Sequence, residues 1–171
     1  MEKENVQIVK DADGRKYVKI NEIIFRGKQN IDWNAVEVYL KKYLDKLVKI
    51  AETGDEIHIK RDFVDEFANG RYTRKILKGG NAKAKANASQ GILQMVQIAG
   101  DRRYQDNRKK KHNKDAKHGW YYYRTRFAIP IMQEQLGEVV YCIYNAELIV
   151  QHSGDGKLYL YDIKNIKKET E

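Results

Sequence analysis

WYYYRTRFAIPI, residues 120–131, is made almost wholly of aromatic and β-branched side chains, which suit a pleated, half-buried strand better than a helix. Two similar stretches follow, VVYCIYNAELIVQH (139–152) and KLYLYDIKNI (157–166). They are separated only by Gln135-Leu136-Gly137 and Ser153-Gly154-Asp155-Gly156, which read as tight turns. Separators this short leave no room for a crossover helix, so the three stretches are expected to pair as a consecutive antiparallel meander.

Upstream the pattern is mostly helical. Asp32 is placed to cap a helix in which Trp33, Val36, Leu40, Tyr43, Leu47 and Ile50 recur at helical spacing, giving a predicted helix over 32–52. A second is predicted over 81–99 from its alanines and Ile92, Leu93 and Val96, with Gly91 as a weak point. Between them, EIHIK (56–60) reads as a short strand or extended link, and 62–68 as two helical turns pairing Phe63 with Phe67. VQIVKDADGRKYVKI (6–20) reads as a hairpin around Asp11-Ala12-Asp13-Gly14. The expectation is therefore an α+β chain. Residues 1–20 form a hairpin or arm, and 21–171 form one domain whose N-terminal helices pack on one face of the C-terminal meander.

Strand periodicity then assigns faces. Tyr121, Tyr123, Thr125, Phe127 and Ile129 share one side of the first long strand; Trp120, Tyr122, Arg124 and Arg126 share the other. In the last strand Leu158 and Leu160 oppose Tyr159, Tyr161 and Ile163. With helices over the Phe127 side, the opposite side presents Tyr122, Arg124, Arg126, Tyr159 and Tyr161. Such an aromatic and cationic platform suits stacked bases and held phosphates, although a plain solvated sheet face has the same composition. A single β-bulge would exchange the faces beyond it.

Directly before this strand, residues 102–117 carry eight Lys/Arg against two Asp. Arg102, Arg103, Arg108, Lys109, Lys110, Lys111, Lys114 and Lys117 are the candidate phosphate contacts, on a basic loop or exposed helix. His112 lies within the run, where surrounding cations favour the neutral imidazole that can act as a base. His118 follows the run. His152, at the end of the middle strand, is a second candidate for proton transfer. Histidine, tyrosine and arginine suffice to cleave RNA, because RNA supplies its own nucleophile, the 2′-hydroxyl. No cluster of His and carboxylates has metal-ligand spacing, so the expected chemistry needs neither metal nor cofactor.

Composition narrows the classes further. The net charge is +9, with 12 tyrosines and one cysteine, which points to a polyanionic partner and excludes an internal disulfide. No apolar run approaches the roughly 20 residues of a membrane span, and the N-terminus lacks a signal peptide's apolar core.

The segments GDEIHIKRDFVDEF, RYTRKILKGGNAKAKANASQGI, KHNKDAKHGWYYYRTRFAIPI and DGKLYLYDIKNIKKET resemble a module at the ends of very large phage and mobile-element proteins of gut Firmicutes. The resemblance spans roughly residues 20 to 171. Its layout is similar to the barnase, EndoU, colicin and RelE-like superfamily of toxin nucleases. That resemblance implies a metal-independent ribonuclease of toxin type, delivered by a larger parent protein and acting on RNA in the cytoplasm of a target cell, with tRNA as one candidate. It also implies a cognate acidic immunity protein as partner. In this reading Arg124 and Arg126 clamp the phosphate, and His112 or His152 serves as base and acid. Tyr122, Tyr159 or Tyr161 stacks or donates a proton. The alternatives are a non-catalytic nucleic-acid-binding module and a domain whose basic face meets an acidic protein.

Overall fold

The computed structural model describes residues 5–27, 30–76, 80–106, 118–133 and 137–169. Its elements run β1 (Val6–Lys10), β2 (Lys16–Ile20), α1 (Trp33–Leu40), β3 (Leu47–Lys49), β4 (Glu56–His58), α2 (Arg61–Asn69), α3 (Arg71–Lys75), α4 (Gly80–Ala88), α5 (Ile92–Gln97), β5 (Gly100–Gln105), β6 (Trp120–Gln133), β7 (Glu138–His152) and β8 (Leu158–Lys168). The chain is mixed α and β, with a strongly curled sheet. Among the described residues, no helix is long and apolar enough to cross a membrane.

The three tyrosine-rich stretches form the centre of the sheet. β6 and β7 pair antiparallel without a break from Trp120↔Gln151 to Gln133↔Glu138, and β8 pairs antiparallel with β7. The sheet is wider than a meander, however. Its order is β1-β2-β6-β7-β8-β4-β3, with β5 also on β6. β2 joins β6 in parallel and β4 joins β8 in parallel. The N-terminal hairpin is thus part of the sheet, and Val18 and Ile20 of β2 lie in the core.

Both long helices predicted from periodicity are shorter than expected. Asp32 caps α1 by accepting from the Ala35 N–H at 3.1 Å, but the helix tightens into a 3-10 turn at Lys41–Tyr43. Asp45 then adopts φ +67°, which reverses the chain, and Leu47–Lys49 pairs with β4 instead of continuing the helix. The 81–99 helix breaks at Ser89–Gly91. There a Cβ on Gly91 would come within 2.9 Å of Val18 Cγ1, so only glycine lets the helix break sit against the hairpin. Residues 100–105, expected to be loop or helix, form β5 because they pair antiparallel with β6.

The alternation expected of β6 is kept by Tyr123, Thr125, Phe127 and Ile129, which are buried, although Arg126 and Ala128 of the other side are buried too. The last strand departs from it. Two register shifts along β7 each leave an extra residue on β8, one at Tyr161 and one near Asn165, which has φ +54°. The first turns Ile163, expected beside Tyr159, onto the core side with Leu160.

Asp162, also buried, meets a cation that no local sequence pattern foretells. Lys85 of α4 is fully buried. Its Nζ lies 2.9 Å from Asp162 Oδ1 and donates to Thr73 Oγ1 at 2.7 Å, beneath the rings of Phe67 and Tyr72. Burial pushes the Lys85 ammonium down and the Asp162 carboxyl up, and the attraction between them opposes both shifts. Replacing one partner strands the other charge, so Lys85→Ala should cost about 3–5 kcal/mol in urea unfolding. The double change Lys85→Met/Asp162→Leu should recover most of that loss. If Lys85→Ala unfolds at the wild-type midpoint, the pair does not hold α4 to β8.

Candidate nucleic-acid cleft

β6 starts and β7 ends at the same rim of the sheet, and the ladder continues one step beyond the two strands. The His118 N–H donates to the His152 carbonyl at 2.9 Å, and the His152 N–H donates to the Gly119 carbonyl at 3.0 Å. These bonds set the two imidazoles side by side, with ring centroids 5.0 Å apart. Gly119 has φ +93°, and a Cβ there would lie 2.6 Å from the Tyr104 hydroxyl. Glycine therefore admits the Tyr104 ring, whose hydroxyl donates to the His118 carbonyl at 3.0 Å.

Tyr104, His118, Tyr121, His152 and Gly156 line an open cleft of about 430 Å³. Tyr121 lies 5.4 Å from Tyr104 and 5.7 Å from His152, so the rings form one continuous wall. Tyr104 is 56% exposed and available to stack. Arg102 sits with its guanidinium 5.1 Å from the Tyr121 ring centre and 3.0 Å from Asp55. Asp55 also accepts from the Tyr123 hydroxyl at 2.7 Å. Burial works to raise the Asp55 carboxyl, but the hydrogen bonds from Tyr123 and Thr53 and the Arg102 charge together hold it below its usual range. Burial, and then the bond to Asp55, push the Tyr123 hydroxyl up.

The residues expected to act together are divided between the two sides of the sheet. His152 lies on the Tyr121 side. Tyr122 and Arg124 alternate onto the other, where Arg103 pairs with Glu147. Arg124 makes an exposed 3.3 Å contact with Asp101. Tyr161 packs edge-on against Trp120 at 5.1 Å, and its hydroxyl is raised by burial and by Glu66. Tyr159 stacks beside His58 and donates to Asp155, which raises its own pKa. Burial and the Glu147 charge raise Tyr122. Tyrosines shifted upwards hold their protons, so all three suit stacking or hydrogen bonding better than proton donation.

Arg126 is placed differently from the expectation. Its side chain is 8% exposed and gripped by Glu169 at 2.7 and 3.0 Å and by Asp11 at 3.0 Å. Both faces of its fork are taken, which makes it a tie between the hairpin turn, β6 and the end of β8, and leaves no fork for a phosphate. Of the other expected residues, His112, Arg108, Lys109, Lys110, Lys111, Lys114 and Lys117 lie outside the described residues.

Tyr104, Tyr121 and the meeting of His118 with His152 were not expected from strand periodicity. The register carries that signal: stepping outwards from Gln133↔Glu138 brings Gly119 opposite His152.

The Arg126 tie has a pH signature. Its hydrogen bond holds Glu169 below the usual 4.5, so this stability is present above that value and is lost as pH falls through the lowered pKa. Arg126→Ala should lower stability at pH 7 by roughly 3 kcal/mol, with the gap to wild type narrowing by pH 3. Urea midpoints at both pH values check this; a gap that is constant or widens in acid would contradict it. No protein-family model, curated protein or solved structure matches this chain, so a function has to be argued from the chemistry of the cleft.

Proposed function

We propose that this protein is a metal-independent endoribonuclease domain of toxin type, with His118 and His152 as its acid–base pair. One observation carries the reading: two imidazoles lie 5.0 Å apart in an open cleft walled by tyrosine rings. Cleavage of RNA by its own 2′-hydroxyl needs two proton transfers at one phosphate. One neutral imidazole takes the 2′-hydroxyl proton as the oxygen attacks phosphorus. The other, protonated, gives its proton to the departing 5′-oxygen. The products are a 2′,3′-cyclic phosphate and a 5′-hydroxyl, with no further reactant consumed. Tyr104 and Tyr121 are placed to stack a base beside the scissile bond, and the basic run that ends next to His118 supplies phosphate attraction.

This reading fits the layout of helices beside antiparallel strands in the barnase, EndoU, colicin and RelE-like superfamily. In that setting RNA in a target cell's cytoplasm, tRNA among the candidates, is the substrate, and an acidic immunity protein covers the basic surface. The runner-up is a nucleic-acid-binding module without catalysis, and it is favoured by one feature, the exposed Tyr104 ring, which would stack a base whether or not any bond is cut.

The purified protein should cleave single-stranded RNA in the presence of EDTA and leave 2′,3′-cyclic phosphate ends. A strand with deoxyribose at the scissile position should bind and stay intact. His118→Ala and His152→Ala should each lower the rate about 10²- to 10⁴-fold and remove opposite limbs of the pH–rate profile. A wild-type protein that binds RNA tightly but never cuts it would establish the binding module instead. Activity abolished by EDTA would overturn the metal-free route.

A further inference from the structure

A second cavity, of about 1050 Å³, opens where β6 changes neighbours. On the edge away from β7, β6 pairs with β5 as far as Arg124↔Gly100 and with β2 from Phe127↔Val18 onwards. The ladder supplies no partner for Thr125 or Arg126 on that edge, and the two strands part there into a notch. Arg15, Lys16 and Lys167 line it and are exposed. Among the described residues, none of the three has a carboxylate at ion-pair distance. Arg124 joins them; its 3.3 Å contact with Asp101 links side chains 66% and 62% exposed, so it is weak and easily exchanged for another anion.

Three acidic groups line the notch, Glu52, Asp101 and Glu147, of which Glu52 keeps its charge without a cationic partner at ion-pair distance among the described residues. Glu52 accepts from the Asp101 N–H at 2.7 Å, and Glu147 is shared by Arg103 and Asn165. Arg126, at the back, is neutralised by Glu169 and Asp11. What remains is a concave site with three cations outside any ion pair, of which Arg15 also acts on Glu169 at longer range, and a fourth on a loose tether. Its chemistry suits a phosphate group.

The notch and the histidine cleft lie at the two ends of β5, with Arg124 and Lys167 on the side of the sheet opposite His152, so a strand that reaches both passes over the β5 edge. β5 begins at the notch with Gly100 and ends beside the cleft with Tyr104 and Gln105, and its partners on β6 run from Arg124 to Trp120, a span of about 13 Å. Its outer edge pairs with no strand among the described residues.

We infer that the notch is a second phosphate-binding subsite, which holds a single RNA strand a few nucleotides away from the bond presented to His118 and His152. The inference rests on the ribonucleic-acid reading of the cleft and narrows its substrate class to strands long enough to reach both sites. A dinucleotide would fill the cleft alone.

The test combines Arg15→Gln, Lys16→Gln and Lys167→Gln, three exposed positions, and compares that variant with a control carrying Lys41→Gln, Lys46→Gln and Lys49→Gln. Two quantities are measured: the affinity and salt dependence for a non-cleavable 12-nucleotide deoxy strand, and kcat/KM on a 12-nucleotide RNA and on a dinucleotide. The notch variant should bind the 12-mer about tenfold more weakly, with the log–log salt slope reduced by about 0.7 for each phosphate that the notch no longer neutralises. Its dinucleotide cleavage should match wild type, and the control should lose much less affinity. Equal losses in the two variants, or a 12-mer affinity and slope unchanged in the notch variant, would overturn the subsite. A wild type that binds the 12-mer but cuts no RNA would remove the histidine chemistry while leaving the binding comparison to decide the notch. A wild type that binds neither strand would overturn both.

Discussion

β6 is hydrogen-bonded to β7 along its whole length on one edge, and its other edge is divided between two shorter strands. Backbone polar groups in a buried strand must find partners, so the division fixes where β5 and β2 lie. It also decides where the chain ends are held. Arg126 sits at the break between the two strands and reaches Asp11 in the hairpin turn and Glu169 just beyond β8. One guanidinium thereby ties the first hairpin, the central strand and the last one. Phosphate recognition would demand a free fork at that position, and the fold has already used it.

The other constraint is on β8. A regular strand would place Leu160 and Asp162 on one side and Tyr161 and Ile163 on the other. An extra residue at Tyr161 puts Leu160 and Ile163, opposite Val150 and Leu148, on one side and Asp162, opposite Ile149, on the other, and all three are buried. Asp162 then needs a counter-charge, and Lys85 of α4 supplies it together with Thr73. The ion pair adds less net stability than apolar packing would, but it sets the position of α4 on β8, because any shift leaves two charges buried apart. Asn87, on the same helix, similarly fixes the incoming chain by bonding the backbone of Ile24 and Phe25.

These features explain what could be seen in the sequence. The long strands, the opening hairpin and the buried side of β6 were legible, since alternation over many residues is a strong signal and Tyr123, Phe127 and Ile129 follow it. The helix at 32–52 was misjudged because Leu47 and Ile50 fit a helical spacing although they lie on extended chain, and the deciding event is the positive φ of Asp45. Lys85 was invisible because nothing local distinguishes a buried lysine in an alanine-rich helix from an exposed one. The two parallel pairings are non-local and leave no periodicity. At the candidate site, alternation put Tyr122 and Arg124 on one side of the sheet, but His152, expected to act with them, lies on the Tyr121 side. Arg126 was misread for a related reason: its face was assigned correctly, while the carboxylates that occupy it come from positions 11 and 169.

The histidine pair owes its spacing to backbone register, and this bears on how such a site would work. Both backbones are fixed by N–H to C=O bonds at the end of a long ladder, so the spacing of the two residues follows from the register, while the rotamers set the separation of the rings. The Tyr104 hydroxyl, bonded to the His118 carbonyl, ties the end of β5 to the start of β6 at the rim of the cleft. In the proposed reading, phosphates are attracted by charge, which acts over the Debye length of about 8–10 Å. Proton transfer needs heavy atoms placed within hydrogen-bond reach, about 2.6–3.2 Å, and it is assigned to residues whose backbone is paired in the ladder.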